Sequence, residues 1–385
     1  MKKCVKCGLP ETYETIEFDD SGLCNICIQH SYKVDKIDWS KRKENLDQII
    51  EDNRGKYEYD CIVPFSGGKD STFTLYYLIK EYNLKPLVVQ FDHGFMRPKL
   101  LQNNIKTFKN LGVDVISFTP NWKIVKRVML EALIRKGDFC WHCHTGIFSY
   151  PMHIAIKYNT PLVMWGEPST EYTAYYDYRD DDIETVDEVR FNRYINLGIT
   201  AEDMKGMIES ESVKTDPRDF VPYTYPPLRD LKKLRYQSIC LGSFIPWDTK
   251  KQSQLIMDEL NWEGDEVEGM PPGLYDYEKI ECSMQGVRDY IKYLKRGYSR
   301  VTQMTVLDIR NGRMKKEEAD KLISDYEGKK PHSLKIFLEY LEMTESEFNE
   351  IVKKTVVAPN KPDFEKDEWS PITTDFDLWY REKKS

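Results

Sequence analysis

Three groups of residues in this 385-residue chain have the types and spacing to do chemistry. The first is Cys4-x-x-Cys7 with Cys24-x-x-Cys27, two pairs separated by a polar stretch in which Pro10, Asp19, Asp20 and Gly22 supply turns. Four thiolates complete a closed tetrahedral shell for a structural Zn²⁺, and so short a segment has too little apolar surface to order itself without metal. The second is Ser66-Gly67-Gly68-Lys69-Asp70-Ser71, placed between a short apolar run and a helical pattern. At that junction a parallel sheet offers backbone amides and a helix N-terminus to an anion. Gly67 and Gly68 allow positive φ and close approach, Ser66 and Ser71 carry hydroxyls, and Lys69 brings charge to a polyphosphate. The kinase-type G-x-x-x-x-G-K-[ST] pattern is not matched. Asp70 either positions a metal ion such as Mg²⁺ or caps the following helix. The third is Cys140-Trp-His-Cys143-His144, with Cys240 about a hundred residues on. Soft thiolates at this spacing read as metal ligands, as a zinc site including His142 or His144, or as cysteines that only pack.

Two further sets are weaker. Glu167 ends an apolar run and Glu171 follows one helical turn later, so the pair either orients a substrate or Mg²⁺ or is simply solvated. Arg296, Arg300, Arg310 and Arg313 fall within 18 residues, where guanidinium groups suit a carboxylate or diphosphate, or else form surface salt bridges.

These residues need a scaffold, and the apolar periodicity supplies one. Residues 59–65, 85–92, 113–119 and 160–168 read as strands. Between them, the segment after Ser71, residues 99–112 closed by Gly112, residues 121–137 and residues 143–158 read as helices. Alternating strands and helices make a parallel α/β sheet. Residues 1–35 are expected to form a zinc knuckle, 36–57 a charged helical connector, and 58–250 the α/β domain with an insertion at about 172–230. Residues 251–385 are expected to be mainly helical, with Thr344 and Glu347 as a capping box and the tail around Trp369 and Trp379 packing as an arm on this chain or a neighbour.

Composition bounds the function. With 56 Lys and Arg against 64 Asp and Glu the net charge is −8, which disfavours broad nucleic-acid binding. Hydrophobic residues at 40% and charged residues at 31% describe a chain that folds. No apolar run approaches the roughly 18 to 20 residues of a membrane span, and MKKCVKCGLPE lacks a secretory h-region. A cytoplasmic protein is expected, and there an odd set of nine cysteines favours metal over disulfides.

The loop Ser66, Gly67, Gly68, Asp70 and Ser71 resembles the S-G-G-x-D-S signature of the ATP-pyrophosphatase or PP-loop enzymes. The resemblance implies a doubly wound, adenine nucleotide alpha hydrolase-like domain. It also implies that the loop grips the β,γ-pyrophosphate of ATP while a substrate oxygen attacks the α-phosphorus. Asp92-His93-Gly94 resembles the family's stretch near the adenosine, although His93 equally suits a satisfied loop histidine. Some PP-loop tRNA-thiolating enzymes hold a [4Fe–4S] cluster on a C-x-x-C and one later cysteine, which adds a cluster to the readings of Cys140, Cys143 and Cys240.

A closer resemblance runs over nearly the whole chain. The cysteine knuckle, P-F-S-G-G-K-D-S, C-W-H-C-H-T-G at 140–146, W-G-E at 165–167, K-R-G-Y-S-R at 295–300 and D-I-R-N-G-R at 308–313 together are similar to the N-acetyl sugar amidotransferases. That family serves lipopolysaccharide O-antigen or flagellar-glycan pathways in bacteria and converts an acetamido group to an acetamidino group. The resemblance implies an ATP- and Mg²⁺-dependent enzyme with Lys69, Asp70 and Glu167 at the reacting centre. It also implies an acidic or nucleotide-linked N-acetyl sugar as substrate. Residue 2 is Lys rather than an exposed nucleophilic cysteine, and no glutaminase-sized second α/β unit fits the remaining pattern. A separate glutaminase is therefore expected to supply ammonia, resembling the glutaminase and cyclase subunits of histidine biosynthesis.

Overall fold

The computed structural model describes residues 1–173, 176–177, 183–209, 214–371 and 373. In chain order it contains α1 (Asn25–Asp35), α2 (Trp39–Glu51), β1 (Cys61–Pro64), α3 (Lys69–Lys80), β2 (Pro86–Phe91), α4 (Pro98–Leu111), β3 (Asp114–Phe118), α5 (Trp122–Lys136), α6 (Trp141–Lys157) and β4 (Leu162–Trp165). It continues with the single turn α7 (Glu188–Arg190), α8 (Ala201–Ile208), α9 (Leu228–Leu234), β5 (Gln237–Cys240) and α10 (Thr249–Leu260). The remaining helices are α11 (Gln285–Arg296), α12 (Arg300–Arg310), α13 (Lys316–Tyr326), α14 (Ser333–Leu341) and α15 (Glu345–Lys353). None of the described helices is long and apolar enough to cross a membrane.

The chain divides into two compact units. The sheet unit comprises Asp38–Pro168 and Ile183–Glu263; the knuckle unit comprises Met1–Ile37, Ser169–Asp182 and Gly264–Ser385. The expected boundaries shift accordingly, since the helical connector α2 belongs with the sheet and the first 37 residues belong with the carboxyl-terminal helices.

In the sheet unit five parallel strands lie in the order β3-β2-β1-β4-β5. The inner strands CIVP, PLVVQF and LVMW are buried along their whole length, which is why they read as continuous apolar runs rather than as alternation. Ile62, Leu87, Val89, Val163 and Trp165 pack with Met152 and Ala155 of α6 and Leu231 of α9. Local chemistry fixes the helix ends. Asn121 accepts a hydrogen bond from Lys123 N to start α5, and Gly112 and Gly137 end α4 and α5 in the left-handed conformation. Strand β5 was not legible beforehand, because QSIC is short and starts on an exposed Gln237; its pairing with β4 from Leu162↔Gln237 to Trp165↔Cys240 makes it a strand.

In the knuckle unit the four cysteines share a core with Leu9, Tyr13 and Ile26, and with Tyr298 and Val306 at and within α12. The knuckle is thus no free-standing module. Helix α12 is buried almost all round, polar Thr302, Gln303, Thr305 and Asp308 included. Its N-terminus is closed from outside by Glu327, whose carboxylate accepts from Ser299 N (2.6 Å), Ser299 Oγ (2.9 Å), Thr302 N (3.1 Å) and Thr302 Oγ1 (2.8 Å). Thr344 and Glu347 form the expected capping box on α15. Trp369 pairs through its backbone with Lys330 and packs on His332 of the same chain, whereas Trp379 lies outside the described residues.

Candidate functional site

The chain runs from β1 outward through β2 and β3, then returns to lay β4 and β5 on the other side, so the crevice of the sheet opens between β1 and β4 at their carboxyl ends. Ser66–Ser71 leaves β1 there, and Gly166-Glu167-Pro168 leaves β4 there. A Cβ on Gly166 would stand 2.8 Å from Thr74 Oγ1 and 3.1 Å from the Asp70 carbonyl, so glycine lets the first turn of α3 lie against the end of β4. The structure therefore brings the SGGKDS loop and the Glu167 segment together.

Within the loop Gly67 has φ +86°, and Gly68 is the N-cap of α3 without a side-chain cap. The amides of Ser66 and Gly67 donate to Ser71 Oγ at 3.3 and 3.2 Å, and the amide of Gly68 donates to Ser66 Oγ at 3.3 Å. All three contacts are long for hydrogen bonds. Three backbone donors plus two hydroxyls facing a helix N-terminus form an anion cradle closed on its own serines.

Lys69 behaves differently from the expectation. Its ammonium is buried and lies 2.7 Å from Asp70 Oδ2 instead of standing free over the loop, because a buried charge needs a counter-charge. The N-cap position is held by Gly68 without a side-chain cap, and Asp70 Oδ1 is buried without a hydrogen-bond partner. That oxygen beside the cradle is the chemistry a divalent cation takes.

At the end of β2, Asp92 accepts from Gly94 N (2.8 Å) and from Thr119 Oγ1 (3.1 Å), fixing the turn. Gly94 has φ +81°, and a Cβ there would lie 1.6 Å from the Trp122 ring, so the indole covers its backbone directly. His93 is buried, accepts from Phe95 N through Nδ1 at 3.3 Å, and offers its carbonyl to His142 Nε2 at 3.4 Å. Burial, with His93 beside it, lowers the pKa of His142 to about 4, so His142 is neutral at physiological pH.

The second cysteine group does not assemble a single-ion site. Among the described residues, Cys4, Cys7, Cys24 and Cys27 alone bring metal-ligating atoms of three or more His, Cys, Asp or Glu residues within 4.8 Å of one another. Cys140 occupies the N-cap position of α6, Cys143 is partly exposed one turn on, and His142 is turned to the His93 carbonyl. Cys240 ends β5, with Sγ 3.8 Å from Glu184 Oε1 and 3.9 Å from Arg190 Nη1. Burial and then Glu184 push its thiol well above the ordinary range, which keeps the proton on sulfur. A second zinc site on these residues is therefore not formed in this structure.

Glu171 and the arginine set have partners within the chain. Glu171 is buried against Lys33, which gives the charge a partner within the knuckle unit rather than a substrate. Arg300 pairs with Glu278 (3.3 Å) and Asp289 (3.4 Å), and Arg313 with Asp308 (2.8 Å). Arg296 meets the Thr12 carbonyl (2.6 Å) and Glu14 (3.2 Å), and Arg310 Nε donates to the Val306 carbonyl (3.2 Å). Arg300 and Arg310 sit at opposite ends of α12, ~15 Å apart at 1.5 Å per residue, so the four do not form one open patch.

The knuckle has metal geometry. Cys4 Sγ and Cys27 Sγ are 4.0 Å apart, and Cys7 Sγ and Cys24 Sγ 3.8 Å. Sulfurs held ~2.3 Å from one tetrahedral ion are about 3.8 Å apart. Cys24 N donates to Cys4 Sγ (3.3 Å) and Cys27 N to Cys24 Sγ (3.4 Å), support suited to thiolates.

Sequence reasoning missed the wall behind the phosphate loop. Asn103 of α4 donates to the Glu263 carbonyl (2.7 Å) and accepts from Glu263 N (3.0 Å), tying the chain after α10 to α4. That tie sets Trp262, whose Nε1 donates to the Gly67 carbonyl at 3.2 Å. Asn104 lies directly on Gly67. The available signal was the pair Asn103-Asn104 on the buried face of an amphipathic helix.

A cavity of about 200 Å³ lined by Lys85, Pro86, Gly112 and Asp114 lies at the starting ends of β2 and β3, away from the crevice.

The chain thus comprises a parallel α/β unit carrying the SGGKDS loop, a four-cysteine knuckle and a mainly helical carboxyl-terminal region. Residues 274–374 match the family "LPS biosynthesis protein WbpG-like, C-terminal domain". The chain is 27% identical over 144 residues to an uncharacterized protein of Methanocaldococcus jannaschii, covering 37% of this chain and 50% of that protein. It is 30% identical over 87 residues to the glutamine-hydrolyzing GMP synthase of Pyrobaculum aerophilum, covering 22% of this chain and 17% of that enzyme. This chain thus spans half or less of the curated relatives it matches. The solved U34-tRNA thiolase NcsA from Methanococcus maripaludis with its [4Fe-4S] cluster aligns over 96% of this chain and 94% of its own, at TM-score 0.34 and 13% identity.

Proposed function

We propose that this protein is an ATP-dependent, AMP- and pyrophosphate-forming amidotransferase that converts the acetamido group of an N-acetylated sugar to an acetamidino group in lipopolysaccharide biosynthesis. The observation that carries the reading is the SGGKDS cradle at the β1/β4 switch point, in a chain whose carboxyl-terminal region matches a lipopolysaccharide-biosynthesis family. An amide oxygen is a poor leaving group, and ATP solves that problem. The oxygen attacks the α-phosphorus and pyrophosphate departs into the cradle formed by Ser66, Gly67, Gly68 and Ser71. Ammonia then adds to the imidate carbon, a proton is lost, and AMP leaves with the former amide oxygen, giving the amidine. Preorganised amides supply the electrostatic share of such transfers without reorganisation. Mg²⁺, held by Asp70, supplies charge neutralisation on the phosphates. Asp92-His93-Gly94 and the Trp122 indole above them form the adenosine side, and Glu167 orients the amide.

The knuckle fits Zn²⁺ by its sulfur spacing, as a closed structural site. The nitrogen comes from a separate glutaminase of the histidine-biosynthesis kind. Its test is turnover by the isolated chain with high ammonium but not with glutamine, and restoration of glutamine use when the glutaminase is added. For the reaction itself, the protein is incubated with ATP, ammonium and candidate acetamido sugars, and nucleotides and sugars are read by mass spectrometry. AMP and pyrophosphate in step with a product in which NH replaces the acetamido oxygen are expected. ADP and phosphate, or thiolated tRNA when sulfide and tRNA are supplied, would refute the reading.

A further inference from the structure

The carboxamide of Asn104 is buried to 4% exposure, and neither Oδ1 nor Nδ2 has a hydrogen-bond partner. A buried amide left unsatisfied at both ends is costly, and native structures retain few of them. Its position is specific: a Cβ on Gly67 would fall 2.2 Å from Asn104 Oδ1 and 2.9 Å from Nδ2, so the amide lies directly against Gly67, whose φ is +86°. Asn103, its neighbour, makes two hydrogen bonds to Glu263, and Trp262 and Thr72 both donate to the Gly67 carbonyl, at 3.2 and 3.3 Å. The Gly67 carbonyl and the Asn103 amide thus have partners, whereas the Asn104 amide has none.

We propose that Asn104 is a positioning residue for the pyrophosphate of ATP, gaining its hydrogen bonds only when the loop holds that anion. This rests on reading SGGKDS as a pyrophosphate cradle. In the anion-free loop the amides of Ser66, Gly67 and Gly68 are turned onto Ser71 and Ser66 hydroxyls. A pyrophosphate oxygen that takes these amides displaces the hydroxyls and re-forms the turn at Gly67. The Asn104 carboxamide is the buried polar group in contact with that turn, and its Nδ2 then has a donor role to fill, holding the re-formed loop on the anion. A hydrogen bond completed in the charged, bound state and absent from the free state appears wholly as affinity.

The test exploits this asymmetry with Asn104→Leu, which keeps the volume and removes both unsatisfied atoms. Pyrophosphate and ATP titrations by calorimetry, on the full chain, are run beside thermal unfolding without ligand. The inference expects the variant to be at least as stable as wild type without ligand and to bind pyrophosphate about tenfold more weakly. Asn104→Gln, with its carboxamide displaced by one methylene, should recover part of that affinity. Equal affinity in Asn104→Leu and wild type overturns the proposal and leaves the cradle intact. A variant that loses stability without ligand in proportion to its lost affinity also overturns it, by making Asn104 structural. A wild-type protein that binds neither pyrophosphate nor ATP removes the cradle and this inference together.

Discussion

The start of α12 in the knuckle unit and the SGGKDS loop in the sheet unit treat their polar groups differently. In the knuckle unit Glu327 takes four hydrogen bonds at the start of α12, Arg300 lies between Glu278 and Asp289, and four thiols face one another at metal spacing. In the sheet unit the SGGKDS amides make only long contacts to their own serines, Asp70 Oδ1 has no hydrogen-bond partner, and the Asn104 amide has none at either end. Polar groups that satisfy one another hold architecture; those left over around the helix N-terminus are the ones the proposed pyrophosphate and its cation would engage. The arginines singled out in the sequence have internal partners, whereas Asn104, which the sequence did not single out, is the residue proposed to act on the loop.

If the contrast is right, perturbations separate by unit. The largest effect is expected for Cys4→Ser, which should abolish stoichiometric bound metal and destabilise the knuckle unit, since structural metal binding is folding free energy. Elemental analysis with thermal unfolding reads it, and equal zinc in variant and wild type breaks the assignment. Next is Asp70→Asn, expected to lower AMP formation about 100-fold with little change in fold. The amide is the more informative choice, because it removes the counter-charge but keeps an acceptor for the buried Lys69 ammonium, whereas Asp70→Ala removes both and costs about 3–5 kcal/mol of stability. Pyrophosphate-release kinetics beside denaturant unfolding tell the two outcomes apart.

Glu327→Ala should cost about 2–3 kcal/mol by leaving the donors at Ser299 and Thr302 without their acceptor. ATP affinity should not move, and a parallel loss of ATP binding would blur the contrast between the units. The smallest effect concerns Lys292, whose pKa is lowered to about 8 by burial, then by Arg300 and Arg288, with Gln303 Oε1 at 3.4 Å as its hydrogen-bond partner. A lysine with a folded pKa below its unfolded value of ~10.5 binds fewer protons folded than unfolded between the two values. It therefore destabilises the fold below about pH 8, and that penalty disappears as pH rises toward ~10.5. Lys292→Met should accordingly raise stability by about 1 kcal/mol at pH 7, after allowance for partial exposure, with the gain vanishing above pH ~10.5. A gain independent of pH would assign the effect to packing.

Local chemistry made much of this chain legible. The continuous apolar runs of β1, β2 and β4, the glycines ending α4 and α5, the Thr344–Glu347 box and both C-x-x-C pairs of the knuckle state their roles within a few residues, because capping, burial on two faces and chelation act over short spans. The amino-acid sequence by itself thus determined the α/β class, the position of the SGGKDS loop and the four-cysteine cluster. Only the tertiary structure decided that QSIC is a strand, that α12 is a buried helix closed by Glu327, and that Lys69 turns to Asp70. It also decided that Arg296, Arg300, Arg310 and Arg313 are engaged internally, and that Asn104 lies on Gly67. Each of these depends on which distant group meets a polar atom once water is excluded, and spacing along the chain carries no record of that partner.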